Sequence, residues 1–531
     1  MKSFLKIEKR ENSSIIIFDA FFTLCFCVGR KIVFSGIIYG NNKQNYFLPF
    51  SLVDLLAAAG VFAAVYSLLR FLFWLDEKKL HDFSEKASPK RYMFFVFFVL
   101  LALAWLPYLL TFSPGNVYAD SLSSINQGGF GTKLYSDHPV FYTMFVGAFV
   151  KTGLLFNSVN KGVFLYTLVQ TGLMLTTVSA LVYKLYKNGV HILFLIFTMG
   201  YYMFVPYFPA YSIAMLKDPL YSCALLWLIM LLSDVVLLKD DISSKGFVIK
   251  FVLVSAAVLL FRNNGILTIV LLTIALLAVF RSKAKKLCLS LLCLIAAYAL
   301  MTCVVFKLCG ITSNYSEKIG MPLLQIGAVV VEDGNMTKEQ EQFVYSLMTK
   351  ENWERWYAPC IADAIKWDPS FNNEFLEQNK TELIKVWLQM FPKNVSLYLK
   401  EYCMETFGFW KVGVQCDYGY YDLQIAGNPF GIEGRDLFNE IFGFSIYEML
   451  CANKPFVGSG TLAWVTLLFM LFAKKRKSLG GLCYLPAVLN WATMFLGTPV
   501  AFSLRYVYIF ALALPLIVLF PWLPTRELKN D

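Results

Sequence analysis

Residues 92–120 read YMFFVFFVLLALAWLPYLLTFSPGNVYAD, and the junction between their two halves decides the fold. The first half, 92–112, carries no charge and matches the roughly 20 residues needed to cross a hydrocarbon core at a 1.5 Å rise. The second half turns polar at once. Ser113, Pro114, Gly115 and Asn116 break the helix and bring backbone amides, then the carboxylate of Asp120, against the membrane. Ser136-Asp137-His138-Pro139 continues the same loop. A transporter or scaffold is expected to join its spans more plainly, whereas an enzyme acting on a lipid-linked substrate needs polar groups at this depth.

Outward from that junction, the chain keeps the same character. It is 58% hydrophobic and 16% charged over 531 residues, which excludes a soluble globular protein. Apolar runs at 15–39, 51–75, 92–112, 163–186, 190–208, 219–238, 247–261, 265–280, 287–308, 456–472, 479–496 and 501–521 predict an all-α polytopic membrane protein with about twelve transmembrane helices. The basic clusters at 1–11, 76–91, 184–187, 281–286, 473–477 and beyond Trp522 then share one face, so both termini are expected in the cytoplasm. The net charge of +11 is accordingly read as topology and lipid-headgroup contact, with no nucleic-acid partner. Residues 1–11 do not read as a cleavable signal peptide.

Three stretches need separate treatment. Arg30 and Lys31 interrupt the first span. The spans 247–261 and 265–280 are short enough to form a membrane-dipping hairpin. Segment 140–156 is apolar, but counting it as a span inverts every later loop and puts 281–286 outside. It is therefore read as an interfacial or re-entrant helix.

The expected organisation is an N-terminal transmembrane domain (1–308) containing the outer loop 113–162, a mainly helical extracytoplasmic domain (309–455), and C-terminal helices with a cytoplasmic tail (456–531). Within the outer domain, Thr337 and Gln340 form a capping-box pattern. Leu383, Ile384, Trp387, Met390 and Phe391 make an apolar helical stripe that stops at Pro392. Beyond Phe407 the sequence becomes rich in Gly, Asn, Asp and Tyr. Most of the twelve cysteines lie in apolar runs; Cys309, Cys360, Cys403, Cys416 and Cys451 do not imply a disulfide framework, and no cysteine–histidine cluster suggests a metal.

Charged groups at membrane depth are costly unless paired or wet, so they are functional candidates. This topology gathers them on the outer face: Asp120, Asp137 and His138; Lys217-Asp218-Pro219; Arg262-Asn263-Asn264-Gly265; and Arg505-Tyr506. Each has a plainer reading. Asp120 and Asp218 could cap helices, and Asp137-His138-Pro139 could start one. Lys217 and Arg505 could snorkel, and Arg262 could pair with a neighbouring carboxylate. Taken together, carboxylates and cations around one cavity suit transfer of a sugar from a lipid phosphate. A carboxylate removes the acceptor's proton, and guanidinium groups stabilise the departing phosphate.

The stretches PGNVYAD (114–120), DHPVFYT (137–143), KDPLY (217–221), RNNG (262–265), MPLLQI (321–326), TFGFW (406–410) and RY (505–506) run in order along the chain. With them the chain resembles the GT-C glycosyltransferases, and a bacterial membrane-protein family of that kind. The resemblance implies a GT-C-like fold and a polyprenyl-phosphate-linked sugar donor. The acceptor would be a surface glycan, lipid or polymer, and no resident cofactor is implied. It places Asp120 as the acidic catalytic residue acting as general base, with Asp137 a second carboxylate. Lys217, Arg262, Asn263, Arg505, Tyr506 and His138 become substrate- or phosphate-binding candidates. No clear DxD motif stands in the outer loops, so a metal-independent reaction is expected. The rival expectations are a flippase or transporter of lipid-linked glycans and a non-catalytic envelope-assembly subunit.

Overall fold

The computed structural model describes residues 9–37, 46–77, 89–414, 423–452, 457–497 and 500–525. Among them the chain is helical throughout, with isolated β-bridges and no strand. Six helical runs are long and apolar enough to cross a membrane: Glu11–Gly29, Leu52–Glu77, Met93–Thr111, Val159–Lys187, Lys217–Leu237 and Gly265–Leu308.

The first helix, α1 (Lys9–Gly29), stops where the sequence places Arg30 and Lys31, so the expected span 15–39 is shorter than the apolar run; residues 38–45 lie outside the described residues. Lys31 instead reaches Asp54 at 2.5 Å, tying the end of α1 to the start of α2 (Leu52–Glu77). After α3 (Met93–Thr111) and the short α4 (Ala119–Ser124), α5 (Val140–Leu154) folds onto α6 (Val159–Lys187). At 15 residues α5 is roughly 22 Å long, short of a ~30 Å core. It docks through glycine: a Cβ on Gly147 would sit 2.3 Å from the Gly128 carbonyl oxygen.

Expected span 190–208 divides into α7 (Ile192–Phe204) and α8 (Tyr207–Ser212), because Pro206 and Pro209 withhold the amides a continuous helix needs. Helix α9 (Lys217–Leu237) is the most enclosed of the six, with 83% of its apolar window buried. Helices α10 (Lys245–Phe261) and α11 (Gly265–Phe280) follow. Arg281 adopts φ 49° and reverses the chain into α12 (Lys285–Leu300). The Cys288 thiol consequently donates to the Thr273 carbonyl at 3.7 Å, so the long Gly265–Leu308 run is a hairpin rather than one rod.

The C-terminal spans depart furthest from expectation. Helix Ser459–Arg476 occupies the first (Phe456 lies outside the described residues), but 479–496 and 501–521 break into short α and 3-10 turns. Pro515 explains one break: it has no N–H for the Ala511 carbonyl, which accepts the Tyr201 hydroxyl at 2.8 Å instead. The Tyr202 hydroxyl likewise serves Leu512 at 2.6 Å.

Between these groups, residues 310–414 build a second core around Leu323, Leu324, Val329, Trp353, Leu383 and Tyr398. The predicted capping box is present, with Thr337 N–H to Gln340 Oε1 at 2.9 Å and Gln340 N–H to Thr337 Oγ1 at 3.3 Å. Helix Lys380–Met390 ends as the stripe before Pro392 implies. Every described cysteine is a free thiol; Cys416 lies outside the described residues.

Several predicted cytoplasmic ends meet at one face. Asp76, ending α2, accepts from Arg476 Nε at 2.8 Å and from the Trp522 indole at 3.1 Å. The basic residues in 1–8, 78–88 and 526–531 lie outside the described residues. Along α9, Asp234 pairs with Lys184 seventeen residues after Lys217, roughly 25 Å away.

Candidate functional site

The loop after α3 is held in place before it presents any chemistry. Asn116 N–H donates to Ile213 at 2.8 Å, Met215 N–H returns to Asn116 at 2.9 Å, and Ala426 N–H reaches Val117 at 2.8 Å. Gly115 is required here: it sits at φ 129°, and a Cβ would meet Thr167 Oγ1 at 2.3 Å. From within α6, the Gln170 amide donates to the Tyr211, Ser212 and Ala214 carbonyls, fixing the facing segment.

Asp120 follows in the first turn of α4 but does not cap it. The Tyr118 N–H is taken by the Ser121 hydroxyl at 3.0 Å, which itself donates to Met215 at 2.6 Å. The Asp120 carboxylate turns elsewhere. Arg505 donates to its Oδ2 at 2.7 Å, and Lys217 Nζ approaches the same oxygen at 3.5 Å. Lys217 also lies 3.0 Å from His138 Nδ1; an ammonium only donates, so the ring nitrogen accepts.

Behind this layer lies Asp218, fully buried. Arg262 donates to its Oδ1 at 2.6 Å. Arg505 Nε lies 2.9 Å from its Oδ2, an ion-pair distance without the alignment of a hydrogen bond. The Arg262 guanidinium stacks over Tyr506 at 4.8 Å and Tyr221 at 5.5 Å. The result is one chain of contacts, His138–Lys217–Asp120–Arg505–Asp218–Arg262. It brings together elements separated by up to 385 residues. Asp120 keeps 33% of its side-chain exposure and Arg505 21%, against 9% for Arg262 and none for Asp218. The accessible end is therefore Asp120 with its two cations, and the Asp218–Arg262 pair is their foundation.

Electrostatics follow from these distances. Burial opposes ionisation of Asp120, but Arg505, then Lys217 and His138, outweigh it and hold the carboxyl well below the usual carboxylate range. Lys217 first, and burial second, push His138 down to about 4, so its ring is neutral at physiological pH.

Asp137 stands apart. Its carboxylate accepts the Asn314 backbone N–H at 2.8 Å and the Asn314 side-chain amide at 2.9 Å, and burial raises its pKa despite those bonds. It neither starts α5, whose N-cap is Pro139, nor touches the cations around Asp120. Asn263 donates to the Ser136 and Asp137 carbonyls at 3.0 and 3.5 Å, which makes it a clamp on that loop. Tyr506 contributes its ring face beneath Arg262 and, at 5.4 Å, Arg505. Arg505 itself lies in the 3-10 turn Leu504–Val507 rather than inside a continuous span.

Asp218 is the residue whose importance the sequence reading missed. Its position after Lys217 suggested a cap, yet the N-cap of α9 is Leu216 and Asp218 is the hub between two arginines. A signal was present: two arginines expected beside apolar spans called for a counter-charge, and Asp218 was available. Among the described residues, no group of three or more His, Cys, Asp or Glu side chains is placed to hold a metal ion.

These features define an all-helical protein with several membrane-length apolar helices and a partly exposed carboxylate held by two cations. The chain belongs to a family of unknown function, DUF6020, whose model matches residues 131–530. That match takes in His138, Lys217, Asp218, Arg262 and Arg505, while Asp120 lies just before it. No curated protein and no solved structure matches the chain.

Proposed function

We propose that this protein is a GT-C-like membrane glycosyltransferase, moving a sugar from a polyprenyl-phosphate-linked donor to a glycan, lipid or polymer at the outer face of a bacterial plasma membrane. In this reading the shorter apolar helices, α10 and those of the C-terminal segment among them, complete about twelve crossings. Both termini are cytoplasmic, and residues 310–455 cover the site from outside.

The observation that carries the proposal is the pairing of Asp120 with Arg505 and Lys217 on a buried Asp218–Arg262 base. The acceptor hydroxyl oxygen attacks the anomeric carbon, and the bond from that carbon to the phosphate oxygen breaks. Polyprenyl phosphate leaves as an anion, and the hydroxyl proton passes to Asp120. With Arg505 and Lys217 fully engaged on it, Asp120 is a weak base. An arriving phosphate competes for the same two cations, and their turn towards it restores basicity to the carboxylate when the donor is seated. Neutral His138 accepts from Lys217 and orients the ammonium. Asp137 has no part in proton transfer and anchors the loop to Asn314.

The test is transfer itself. Membrane vesicles containing the protein are supplied with a radiolabelled polyprenyl-phosphate hexose and envelope acceptor material. Label entering acceptor-sized product supports the proposal. Label crossing the bilayer while still attached to its lipid, with no product, contradicts it and favours a flippase.

A further inference from the structure

Away from the charged network, a cavity of about 310 Å³ lies between the end of α1 and helix Ser459–Arg476. Its walls are mainly Phe22, Phe26, Trp410 and Trp464. Phe22 meets Trp464 edge to face at 4.9 Å. Both indole N–H groups are already used: Trp464 donates to the Trp410 carbonyl at 2.7 Å, and Trp410 to Thr406 Oγ1 at 3.0 Å. The walls therefore offer ring faces and hydrocarbon, with no free directional donor from either tryptophan.

The two charged lining residues, Arg30 and Lys411, are both cations. Arg30 is exposed and makes no ion pair among the described residues. Lys411 donates one proton to the Ile32 carbonyl at 2.9 Å and keeps two. Its stem crosses Gly29, where a Cβ would lie 3.2 Å from Lys411 Cγ. The face of α1 turned away from the cavity is also apolar, with Ile17 and Leu24 exposed at 70% and 61%.

We propose that this cavity binds one anionic phospholipid, with an acyl chain between the aromatic walls and the phosphodiester against Arg30 and Lys411. Charge complementarity selects an anionic head over a zwitterionic one. The volume, at the low end for ligand pockets, suits part of a single chain. Occupancy braces residues 407–411, whose neighbours reach the charged network. Phe409 accepts from the Trp491 indole at 2.7 Å, and Gly408 packs so closely on Phe502 that a Cβ would lie 2.4 Å from its Cα, three residues before Arg505.

This inference does not depend on the proposed transferase activity, and its test needs no transfer assay. Purified full-length protein in detergent is titrated with dioleoyl phosphatidylglycerol or dioleoyl phosphatidylcholine, followed by native mass spectrometry and thermal melting. One phosphatidylglycerol per chain and a rise in Tm absent with phosphatidylcholine are expected. The double variant R30Q/K411Q weakens retention about thirtyfold, as two membrane-surface cations predict. R30Q alone, which breaks no contact within the fold, weakens it in part. C25W, which fills the slot, also loses the lipid. Equal retention by the wild type and R30Q/K411Q overturns the proposal, as does displacement of phosphatidylglycerol by equimolar polyprenyl phosphate.

Discussion

Arg505 and Asp120 are 385 residues apart in sequence and 2.7 Å apart in space. That contact closes the network, because Arg505 also faces Asp218 at 2.9 Å and so joins the accessible carboxylate to the buried one. The two carboxylates thus have separable roles, and substitutions at each have different expected outcomes.

Arg262→Ala leaves Asp218 fully buried with one of its two cations gone. Breaking a buried pair in this way costs on the order of 3–5 kcal/mol. Tm in detergent is expected to fall clearly further for Arg262→Ala than for Asp120→Asn, whose carboxylate is partly exposed. A smaller fall for Arg262→Ala counts against the buried foundation.

Asp137→Asn keeps one carbonyl oxygen for Asn314 and removes no group from the cation cluster. Transfer is expected to remain within about tenfold of wild type, below the ~10²–10⁴-fold contribution of a proton-transfer group. Initial rates at saturating donor decide the matter, and a loss of a thousandfold would return Asp137 to the catalytic group.

Acid should weaken the fold through His138 before it does so through Asp120. The unfolded chain takes up the histidine proton near 6.5, whereas the folded ring does so near 4. Between those values the unfolded state binds more protons, so stability falls as pH is lowered. The contribution of Asp120 is complete above its unfolded value near 3.8 and is lost only as pH falls towards its depressed folded value. Melting curves at pH 7 and pH 5 are expected to separate further for wild type than for His138→Asn. Equal separation in both proteins excludes His138 as the source.

Gly147→Ala tests the docking of α5. The added methyl would meet the Gly128 carbonyl oxygen at 2.3 Å, and backbone cannot yield as a side chain would. Overpacking of this kind costs about 1–3 kcal/mol. A lower Tm with weakened transfer is expected, since α5 supports the segment carrying His138; an unchanged Tm contradicts the packing.

Helix positions were most legible where a single physical rule governs. Pro392 limited helix Lys380–Met390, and Thr337 with Gln340 made the expected cap, whereas the span expected over 15–39 stopped short at Arg30 and Lys31. The C-terminal spans were less legible because their apolar composition hides breaks that depend on tertiary partners. The Tyr201 hydroxyl satisfies a carbonyl 310 residues away, which no local pattern encodes. The same distinction holds at the candidate site. Membrane depth singled out Asp120, Lys217, Arg262 and Arg505, which do meet, while loop proximity misleadingly grouped Asp137 with Asp120. Asp218 went unrecognised because its role requires knowing that two distant arginines converge on it.

The central claim, that Asp120 takes the acceptor's proton in sugar transfer, is tested most directly by measuring donor binding and single-turnover release together. Wild type and Asp120→Asn are reconstituted with radiolabelled polyprenyl-phosphate hexose and envelope acceptor. Donor Kd should stay within about tenfold, while release of polyprenyl phosphate falls about 10²–10⁴-fold. Release by Asp120→Asn at the wild-type rate, with donor bound equally well, would contradict it.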